Sequence, residues 1–407
     1  MEQAQSSLAS LRMLRAGEFR LLGVITGGHF IIHWFQQLFP VVLPSIKAGL
    51  GLNDIQVGAL TSARQLVNGS MDLPAGLLAD SVVRYRALLL ASAIISMGTA
   101  YLLMGSGTGF VSALLGAGLV GLGTALWHPA AAASLSNQFP NRRATALSVH
   151  GMGATISDTL TPLGAGLLLL SFSWTSVLSL QILPALGFGV LLWIGLAGLF
   201  SIRESGGTAS AADFREIAAL VRNPAFVGVT VAAAFMSMGR VIVLTFLPIY
   251  IQEHLKYSPF GLGFYIALLH AMGTVSQPIL GFLSDRFGRK AVLFPSFLTL
   301  GALFALLAVA NPGLQLGVVI SAIGLFFYTL MNITFAAVMD VAAAKIQASS
   351  YGLSSLMVQV AVFPIPILAG YLVQNYGIQY AFLLASGFLF MGGLLVLPLN
   401  LYRGSKR

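Results

Sequence analysis

The sequence predicts an all-α integral membrane protein of twelve transmembrane helices, arranged as two six-helix, pseudo-symmetric bundles. Three observations lead to this prediction: an apolar composition, a series of long apolar runs, and a charged loop motif that occurs once in each half of the chain. Hydrophobic residues make up 57% of the 407 residues and charged residues only 8%, whereas soluble domains carry roughly 25% charged residues. A soluble core of this size could not hide so much apolar surface, so lipid must surround much of it.

The apolar runs are long enough to cross a bilayer, for which a helix needs about 20 residues. Strands of a membrane barrel would instead appear as short alternating segments, and these runs do not alternate. The predicted helices lie approximately at residues 21–46, 55–79, 87–106, 109–136, 144–170, 176–200, 225–252, 260–284, 291–310, 313–339, 349–374 and 378–401.

The distribution of basic residues predicts the orientation. A net charge of +9 would be compatible with a nucleic-acid partner, but the positions of the charges exclude one. If the N-terminus is cytoplasmic, all but four of the 21 Lys and Arg residues fall in cytoplasmic segments, the exceptions being Lys47, Lys256, Arg64 and Arg240. This positive-inside bias predicts a multi-pass protein of a bacterial-type inner membrane, with both termini in the cytoplasm.

A hydrophilic segment at residues 203–223 divides the chain. We predict an N-terminal six-helix bundle at 1–202, a central cytoplasmic linker at 203–223 and a C-terminal six-helix bundle at 224–407. An offset of about 205 residues, which relates Gly76 to Gly281, also aligns the start of helix 2 with that of helix 8. Asn53 and Ser258 are good N-cap residues for these two helices.

Ionisable residues inside the predicted helices mark a candidate site. Burying such a group in a bilayer costs on the order of 2.5–3.5 kcal/mol, so these residues usually face a polar cavity. They occur on helices 1, 2, 4, 5, 7 and 8, with Asp340 at the inner end of helix 10, and are absent from the interiors of helices 3, 6, 9 and 12.

Six of these residues are candidates for binding substrate. A guanidinium group stays protonated and offers a planar fork of donors suited to carboxylate, phosphate or phosphonate; the alternative is an internal ion pair with Asp72 or Asp158. His29 and His33 are four residues apart and share one helix face; the alternative is a neutral pair bonded to helix backbones or serines. The predicted substrate-binding residues are His29, His33, Arg64, His128, Arg240 and His270.

Three further residues are candidates for proton coupling. A buried carboxyl group can change between its charged and neutral forms within the physiological range, which would suit Asp72 and Asp158. The alternative for both is a permanent salt bridge to Arg or His. His150 is a candidate proton relay, although its position near the cytoplasmic end also allows an ordinary hydrated histidine.

The repeated loop motif identifies a family. The second copy reads Gly281-Phe-Leu-Ser-Asp285-Arg-Phe-Gly-Arg-Lys290, and a weaker copy begins Gly76-Leu-Leu-Ala-Asp80. This pattern, GxLxDRxGRK, is the loop signature of the major facilitator superfamily, which the chain resembles over essentially its whole length. The resemblance implies two parallel repeats around a midplane substrate site, alternating access, and lipid-facing positions for helices 3, 6, 9 and 12.

The resemblance also implies a conformational latch at the cytoplasmic side. In the family, the motif Asp is held by a neighbouring helix N-terminus, which favours anions, and by the basic residues of the motif. The first copy has Ser81 and Val83 where Arg and Gly are usual, so we expect a looser first latch; the alternative is two ordinary basic loops. The implied latch residues are Gly76, Asp80, Arg84, Gly281, Asp285, Arg286, Gly288, Arg289 and Lys290.

Two more segments resemble narrower groups of transporters. Helix 5 carries Gly153, Pro162, Gly164 and Gly166, similar to the antiporter motif of drug/proton exporters, where small residues allow close helix packing. The run Gly121–Pro129, together with His29 and Ile55–Gly58, resembles the fosmidomycin-resistance-type exporters, which export an anionic phosphonate. His33 and Trp34 stand where those exporters tend to have an Asn-Asp pair, a departure that affects the coupling residue.

The expected function is secondary active transport: proton-coupled efflux of a small organic anion or amphipathic drug by a monomer, with the proton gradient as energy source and no metal or other cofactor. The main alternative is proton-coupled import of a carboxylate metabolite or siderophore. An intramembrane enzyme is disfavoured because no HExxH-type spacing occurs. A non-transporting sensor would be expected to carry a soluble output domain. With no cysteine, there are no disulfides or thiolate metal sites.

Overall fold

A computed structural model describes residues 16–81, 85–196, 219–341 and 347–401, which form helices and no strand. The first half of the fold is α1 (Ala16–Leu50), α2 (Asp54–Ser81), α3 (Arg86–Ser106), α4 (Phe110–Gln138), α5 (Arg143–Ser171) and α6, whose two pieces are Trp174–Ser179 and Ile182–Leu196. The second half is α7 (Pro224–Ile249, extended by a π-helical turn at Tyr250–His254), α8 (Pro259–Phe287), α9 (Arg289–Leu307), α10 (Leu314–Phe327 and Thr329–Val341), α11 (Gln347–Val362 and Ile365–Tyr376) and α12 (Ile378–Val396).

The helical membrane fold predicted from the sequence is confirmed, with one difference in the number of spans. Each of the twelve predicted runs has a helical counterpart, but only ten helices among the described residues are both long and apolar enough to cross a membrane, and α1 and α2 are not among them. Both helices carry polar residues in their interiors, such as Gln36 and Gln37 in α1 and Arg64 and Asn68 in α2. These polar side chains lower the mean hydropathy of the two helices.

The starts of α2 and α8 confirm the predicted N-caps. The side chain of Asn53 accepts a hydrogen bond from the backbone N–H of Gln56 at 2.9 Å, and Gln56 Oε1 accepts one from the Asn53 N–H at 3.0 Å. Ser258 Oγ accepts from the N–H of Gly261 at 3.1 Å, and Pro259 occupies the first helical position. These bonds satisfy N–H groups that have no partner inside the helix.

Helices pack mainly within their own half. In the first half α4 packs against α2 and α3, α5 against α1, and α6 against α3; in the second half α12 packs against α7 and α9, and α10 against α8. The most extensive packing between the halves is that of α5 with α8 and of α2 with α11, and α7 also contacts α1. The candidate site lies where these helices and α1 and α7 meet.

The halves approach most closely at the end that carries the α1–α2 and α7–α8 loops, here called the closed end. A Cβ atom at Gly58 of α2 would overlap the carbonyl oxygen of Pro366 in α11, and one at Gly263 of α8 would overlap that of Pro162 in α5. Only glycine allows backbones to approach this closely. The opposite end carries the α2–α3 and α8–α9 motif loops and is called the charged-loop end.

Candidate substrate and ion site

The four-residue spacing of His29 and His33 places both rings on one side of α1, with their centroids 4.6 Å apart. The opposite side of this helix turn is fixed by packing, because Phe35 is fully buried and its carbonyl oxygen accepts a hydrogen bond from the hydroxyl of Tyr101 in α3. His29 itself is only 6% exposed. Packing by apolar neighbours therefore holds the two imidazoles towards the centre of the molecule.

Two more histidines join this pair, from α4 and α5. The ring of His150 stacks on that of His29 with a centroid distance of 3.8 Å, and the ring of His128 lies 5.6 Å from His29 and 6.0 Å from His33. We call these four residues the histidine cluster. It contains four of the six histidines of the chain and brings together residues from three helices.

Asp158 of α5 borders the histidine cluster. Its Oδ1 accepts hydrogen bonds from Nδ1 of His33 at 2.7 Å and from Nε2 of Gln37 at 2.9 Å. Asp158 thus pairs with a histidine, one of the two kinds of partner expected for a salt bridge, and its role in proton coupling stays a prediction. Neither arginine of the candidate site is its partner among the described residues.

In the second half, Arg240 of α7 lies in an aromatic pocket. Its guanidinium carbon is 4.5 Å from the ring centroid of Phe327 and 5.0 Å from that of Tyr328, and Nη1 lies 2.8 Å from the sulfur of Met331. The buried Nε of Arg240 has no hydrogen-bond partner within the described part of the chain. The pocket stabilises the cation by cation–π contacts and leaves donors of the guanidinium available to a ligand.

His270 of α8 completes this second group. Its Nδ1 lies 2.8 Å from the hydroxyl of Tyr328, within hydrogen-bonding distance, while its Nε2 is buried and has no partner in the described ranges. Tyr328 also interacts with Arg240 and with Gln37 of the first half. A chain of polar side chains thus crosses between the halves. It runs from Asp158 through Gln37 to Tyr328, which contacts both His270 and Arg240.

Arg64 of α2 lies beside α1. Its Nη1 is 3.5 Å from the carbonyl oxygen of Gln36, at the limit of hydrogen bonding, and its guanidinium carbon is 5.4 Å from the centroid of the Phe39 ring. No carboxylate pairs with Arg64 or Arg240 in the described ranges of the chain, so the ion-pair alternative to anion binding finds no support there. Asp72, eight residues further along α2, is exposed, towards the charged-loop end.

The second copy of the loop motif is described in full. Arg289 contacts Asp285 and donates from Nε to Asp340 of α10 at 2.9 Å, Lys290 contacts the carbonyl oxygen of Leu397, and Arg286 lies beside Phe287. Gly288 has φ of +98° between α8 and α9, a conformation that favours glycine. Gly281 has open space around it.

The first copy is only partly described. Arg84 lies outside the described residues, as do Val83 and the side chain of Asp80. Gly76 is near Pro129 of α4, and the buried Arg86 donates to the carbonyl oxygen of Ala79 at 2.8 Å. The expected difference in tightness between the two latches therefore stays a prediction.

The helix-packing motif of α5 contacts both α1 and α8. A Cβ atom at Gly153 would overlap the carbonyl oxygen of Thr26 in α1, one at Gly166 would lie 2.6 Å from that of Pro259 in α8, and one at Gly164 would lie 3.1 Å from the ring of Trp34. Pro162 receives the close approach of Gly263 described above. At these positions a larger side chain would collide with α1 or α8, and the role of the motif in transport stays a prediction.

Sequence inspection missed three residues of the site: Gln37, Tyr328 and Met331. Gln37 is part of the Gln36–Gln37 pair in an otherwise apolar stretch of α1, a pattern that could have identified it. Tyr328 lies at the break between the two pieces of α10, and no feature of the apolar sequence around it marks that break. Met331 is one of 13 methionines and is distinguished only by its contact with Arg240.

Comparison with known families agrees with this architecture. The family model described as "Major Facilitator Superfamily" matches residues 25–364, and also 229–406. The chain belongs to the Major Facilitator Superfamily. Its members are transporters, so the enzyme alternative is set aside and the resemblance deduced from the loop motif is confirmed.

Individual relatives are distant. The fosmidomycin resistance protein of Escherichia coli (strain K12) is 25% identical over 288 residues, covering 69% of this chain and 68% of the relative. An MFS-type efflux pump of Mycolicibacterium smegmatis is 28% identical over 269 residues, covering 64% of this chain and 61% of the relative. Among solved structures, a bacterial homologue of the lysosomal transporter Spinster, in an inward-facing and unoccupied conformation, has a TM-score of 0.76 at 17% identity and covers 97% of this chain and 100% of that one.

Proposed function

We propose that this transporter exports a small organic anion or an anionic amphipathic drug by proton-coupled alternating access. In this proposal the six-helix halves, 1–202 and 224–407, rock about a central site while the cytoplasmic segment 203–223 links them. The observation that carries the proposal is the pair of intramembrane guanidinium groups, Arg64 and Arg240, that lack a carboxylate partner in the described part of the chain.

Anion binding is the interpretation that best accounts for Arg240. An unpaired cation inside a membrane is costly, and such residues usually pair or mark a substrate pathway. The contacts of Arg240 with Phe327, Tyr328 and Met331 are weaker than the bidentate pairing that a guanidinium can make with an anion, and they leave Nε without a hydrogen-bond partner in the described part of the chain. A carboxylate or phosphonate would supply the missing acceptors, with His270 and Tyr328 as neighbouring donors.

Proton coupling is assigned to the acidic residues of the same region. Asp158 is linked to His33 of the first half and, through Gln37 and Tyr328, to the binding pocket of the second half. A change in its protonation would alter hydrogen bonds on both sides of the interface between the halves. Asp72, exposed towards the charged-loop end, and His150, stacked on His29, would deliver or receive the proton.

The direction of transport is proposed from two lines of support. The bias of basic residues to one side favours a cytoplasmic location for the charged-loop end, and two of the relatives are named as a fosmidomycin resistance protein and an efflux pump. The charge bias sets the orientation, and the names of these relatives favour export from the cytoplasm over the import of a carboxylate metabolite or siderophore.

Transport in sealed inside-out vesicles tests the proposal. A proton gradient is established, phosphonate antibiotics and carboxylate metabolites are added, and dissipation of the gradient is followed. Arg240→Ala should reduce anion-dependent proton flux by about 10- to 150-fold, because a hydrogen bond to a charged group contributes about 1.5–3 kcal/mol. Arg222→Ala is the matched control, since Arg222 is exposed and lies just before α7.

Equal flux in the Arg240→Ala and wild-type proteins would remove Arg240 from the site. No response of folded wild-type protein to any anion would contradict anion export. Proton flux of the opposite polarity with a carboxylate metabolite would instead establish import.

A further inference from the structure

Three members of the histidine cluster lie close enough to share one ligand. His29, His33 and His128 can each offer one ring nitrogen such that all three nitrogens lie within 4.8 Å of one another. They come from α1 and α4, whose positions are fixed by packing rather than by a flexible loop. The sequence carries no local metal motif here, because His128 lies 95 residues after His33 in the chain.

The hydrogen bonds of the three rings all use the same nitrogen. Nδ1 of His29 donates to the carbonyl oxygen of His150 at 2.9 Å, Nδ1 of His33 donates to the carboxylate of Asp158 at 2.7 Å, and Nδ1 of His128 donates to the carbonyl oxygen of Thr124 at 2.9 Å. A proton on Nδ1 leaves Nε2 of each neutral ring with a free lone pair. In protein metal sites, histidine ligands are oriented by such bonds from the other ring nitrogen to a carboxylate or carbonyl oxygen.

The Nε2 atom of His29 gives a second, independent indication. It is buried and has no hydrogen-bond partner among the described residues. Burying a polar atom without a partner is unfavourable, so a ligand that accepts its lone pair would stabilise the arrangement. A hydrogen-bond donor or a metal ion could do so, but three converging imidazoles that each keep a lone pair favour a cation.

We propose that His29, His33 and His128 bind one divalent transition metal ion of the zinc, cobalt or nickel class through their Nε2 atoms. Imidazole nitrogen is a preferred ligand of these ions. With metal–nitrogen bonds of about 2.0–2.1 Å, the nitrogens of a tetrahedral site are about 3.4 Å apart. Ring nitrogens of the three residues, which lie within 4.8 Å of one another, would have to draw together by at most about 1.4 Å to reach this spacing, a change that side-chain rotation can supply.

The fourth coordination position is open. The ring of His150 is nearly parallel to that of His29, with an interplanar angle of 6°, so it supports His29 rather than pointing at the same ion. His128 is exposed, and the ion would be accessible on that side. A three-histidine site with a free position takes a water molecule or an anionic group as its fourth ligand, and Asp158 partly offsets the charge of the ion.

The metal site does not depend on the proposed function, since it concerns binding to the resting protein and not transport. It departs from the sequence-based expectation that no metal is involved. Failure of metal binding would leave anion export untouched, and failure of anion export would leave the metal site untouched.

The test is binding of Co²⁺ and Zn²⁺ to the purified full-length protein, prepared without a polyhistidine tag. Co²⁺ bound by three nitrogens in a four- or five-coordinate site should give visible d–d absorption that saturates at one ion per chain, and Zn²⁺ should displace it. His29→Ala, His33→Ala and His128→Ala should each weaken Zn²⁺ binding at least about 100-fold. Asp158→Asn should weaken it by about 10- to 100-fold, the usual effect of removing an outer-shell partner.

The matched control is His254→Ala, which removes an exposed histidine at the closed end and should leave the affinity unchanged. The absence of d–d absorption in folded wild-type protein overturns the proposal without reference to any variant. Equal weakening by His254→Ala and by the three cluster variants also overturns it, because binding would then be non-specific.

Discussion

The two ends of this transporter are held by different kinds of contact. At the closed end the contacts cross between the halves: Gly58 meets Pro366, Gly263 meets Pro162, and the amino group of Lys47 bridges Asp54 of its own half and Glu253 of the other, at 2.7 and 2.6 Å. At the charged-loop end the described ion pairs stay within one half, since Arg289 joins Asp285 and Asp340, both in the second half.

This difference identifies which end governs the observed conformation. In the proposed alternating-access cycle, contacts within a half would move with it as a rigid body, whereas contacts between halves would have to break. In that cycle the closed end would resist the conformational change, and we expect the motif residues at the charged-loop end to form contacts between the halves in the alternative state. Three substitutions, described in decreasing order of predicted effect, test whether the two ends differ in this way.

The largest effect is expected from Gly263→Ala. Its methyl group would overlap the carbonyl oxygen of Pro162, and because backbone cannot move aside as a side chain can, α5 and α8 must separate. Overpacking of this kind costs about 1–3 kcal/mol, so the population open at this end should rise about 5- to 150-fold. Gly387→Ala is the control, because a Cβ atom there meets nothing within 4 Å.

The opening can be measured directly because the chain contains no cysteine. A single Thr245→Cys substitution places a thiol at a buried position, 2% exposed, where the Thr245 hydroxyl contacts that of Thr61 across the halves at 3.2 Å. Its rate of reaction with a membrane-impermeant maleimide, added on the closed-end side, reports the open population. An unchanged rate in Gly263→Ala, with Gly387→Ala also unchanged, would show that the glycine contacts do not hold this end closed.

A smaller effect is expected from Lys47→Met, which keeps the length of the side chain and removes its charge. Lys47 is partly shielded, with 14% of its side chain exposed, but ion pairs near water contribute only about 0.2–1 kcal/mol. The labelling rate at Thr245→Cys should therefore rise by about 1.5- to 5-fold. Lys256→Met is the control because Lys256 is exposed at the same end, and an equal increase there would attribute the effect to net charge alone.

The glycine contacts also show what sequence reasoning could and could not predict. The offset of 205 residues aligns Gly58 with Gly263, and both approach a proline carbonyl of the other half. The same arrangement recurs with Pro162 and Gly166 of α5 and with Pro366 and Gly370 of α11, yet only the α5 pair resembles a known motif. The pair formed by Pro366 and Gly370 can be recognised only from the structure, which shows that Gly370 packs against the backbone of Asp54.

Part of the candidate site could likewise be predicted from the sequence, and part could not. Helix periodicity alone brings His29 and His33 together, because residues four apart share a face. The approach of His128 and His150 depends on how α4 and α5 pack against α1, and no local pattern encodes that distance. The pairing of Asp158 with His33 instead of an arginine depends on the same packing, which is why the sequence left both possibilities open.

The smallest effect on the closed end is expected from Arg289→Gln. The substitution removes the pairs with Asp285, whose side chain is 68% exposed, and with Asp340, which is 42% exposed; pairs this open to water contribute about 1 kcal/mol or less. Since both partners belong to the second half, thermal stability should fall slightly while the labelling rate at Thr245→Cys stays unchanged. Arg286→Gln serves as control, because Arg286 is exposed beside Phe287. An increase in the labelling rate with Arg289→Gln as large as that with Lys47→Met would show that the two ends are coupled in this conformation. The distinction between contacts within a half and contacts between the halves would then no longer explain which end is closed.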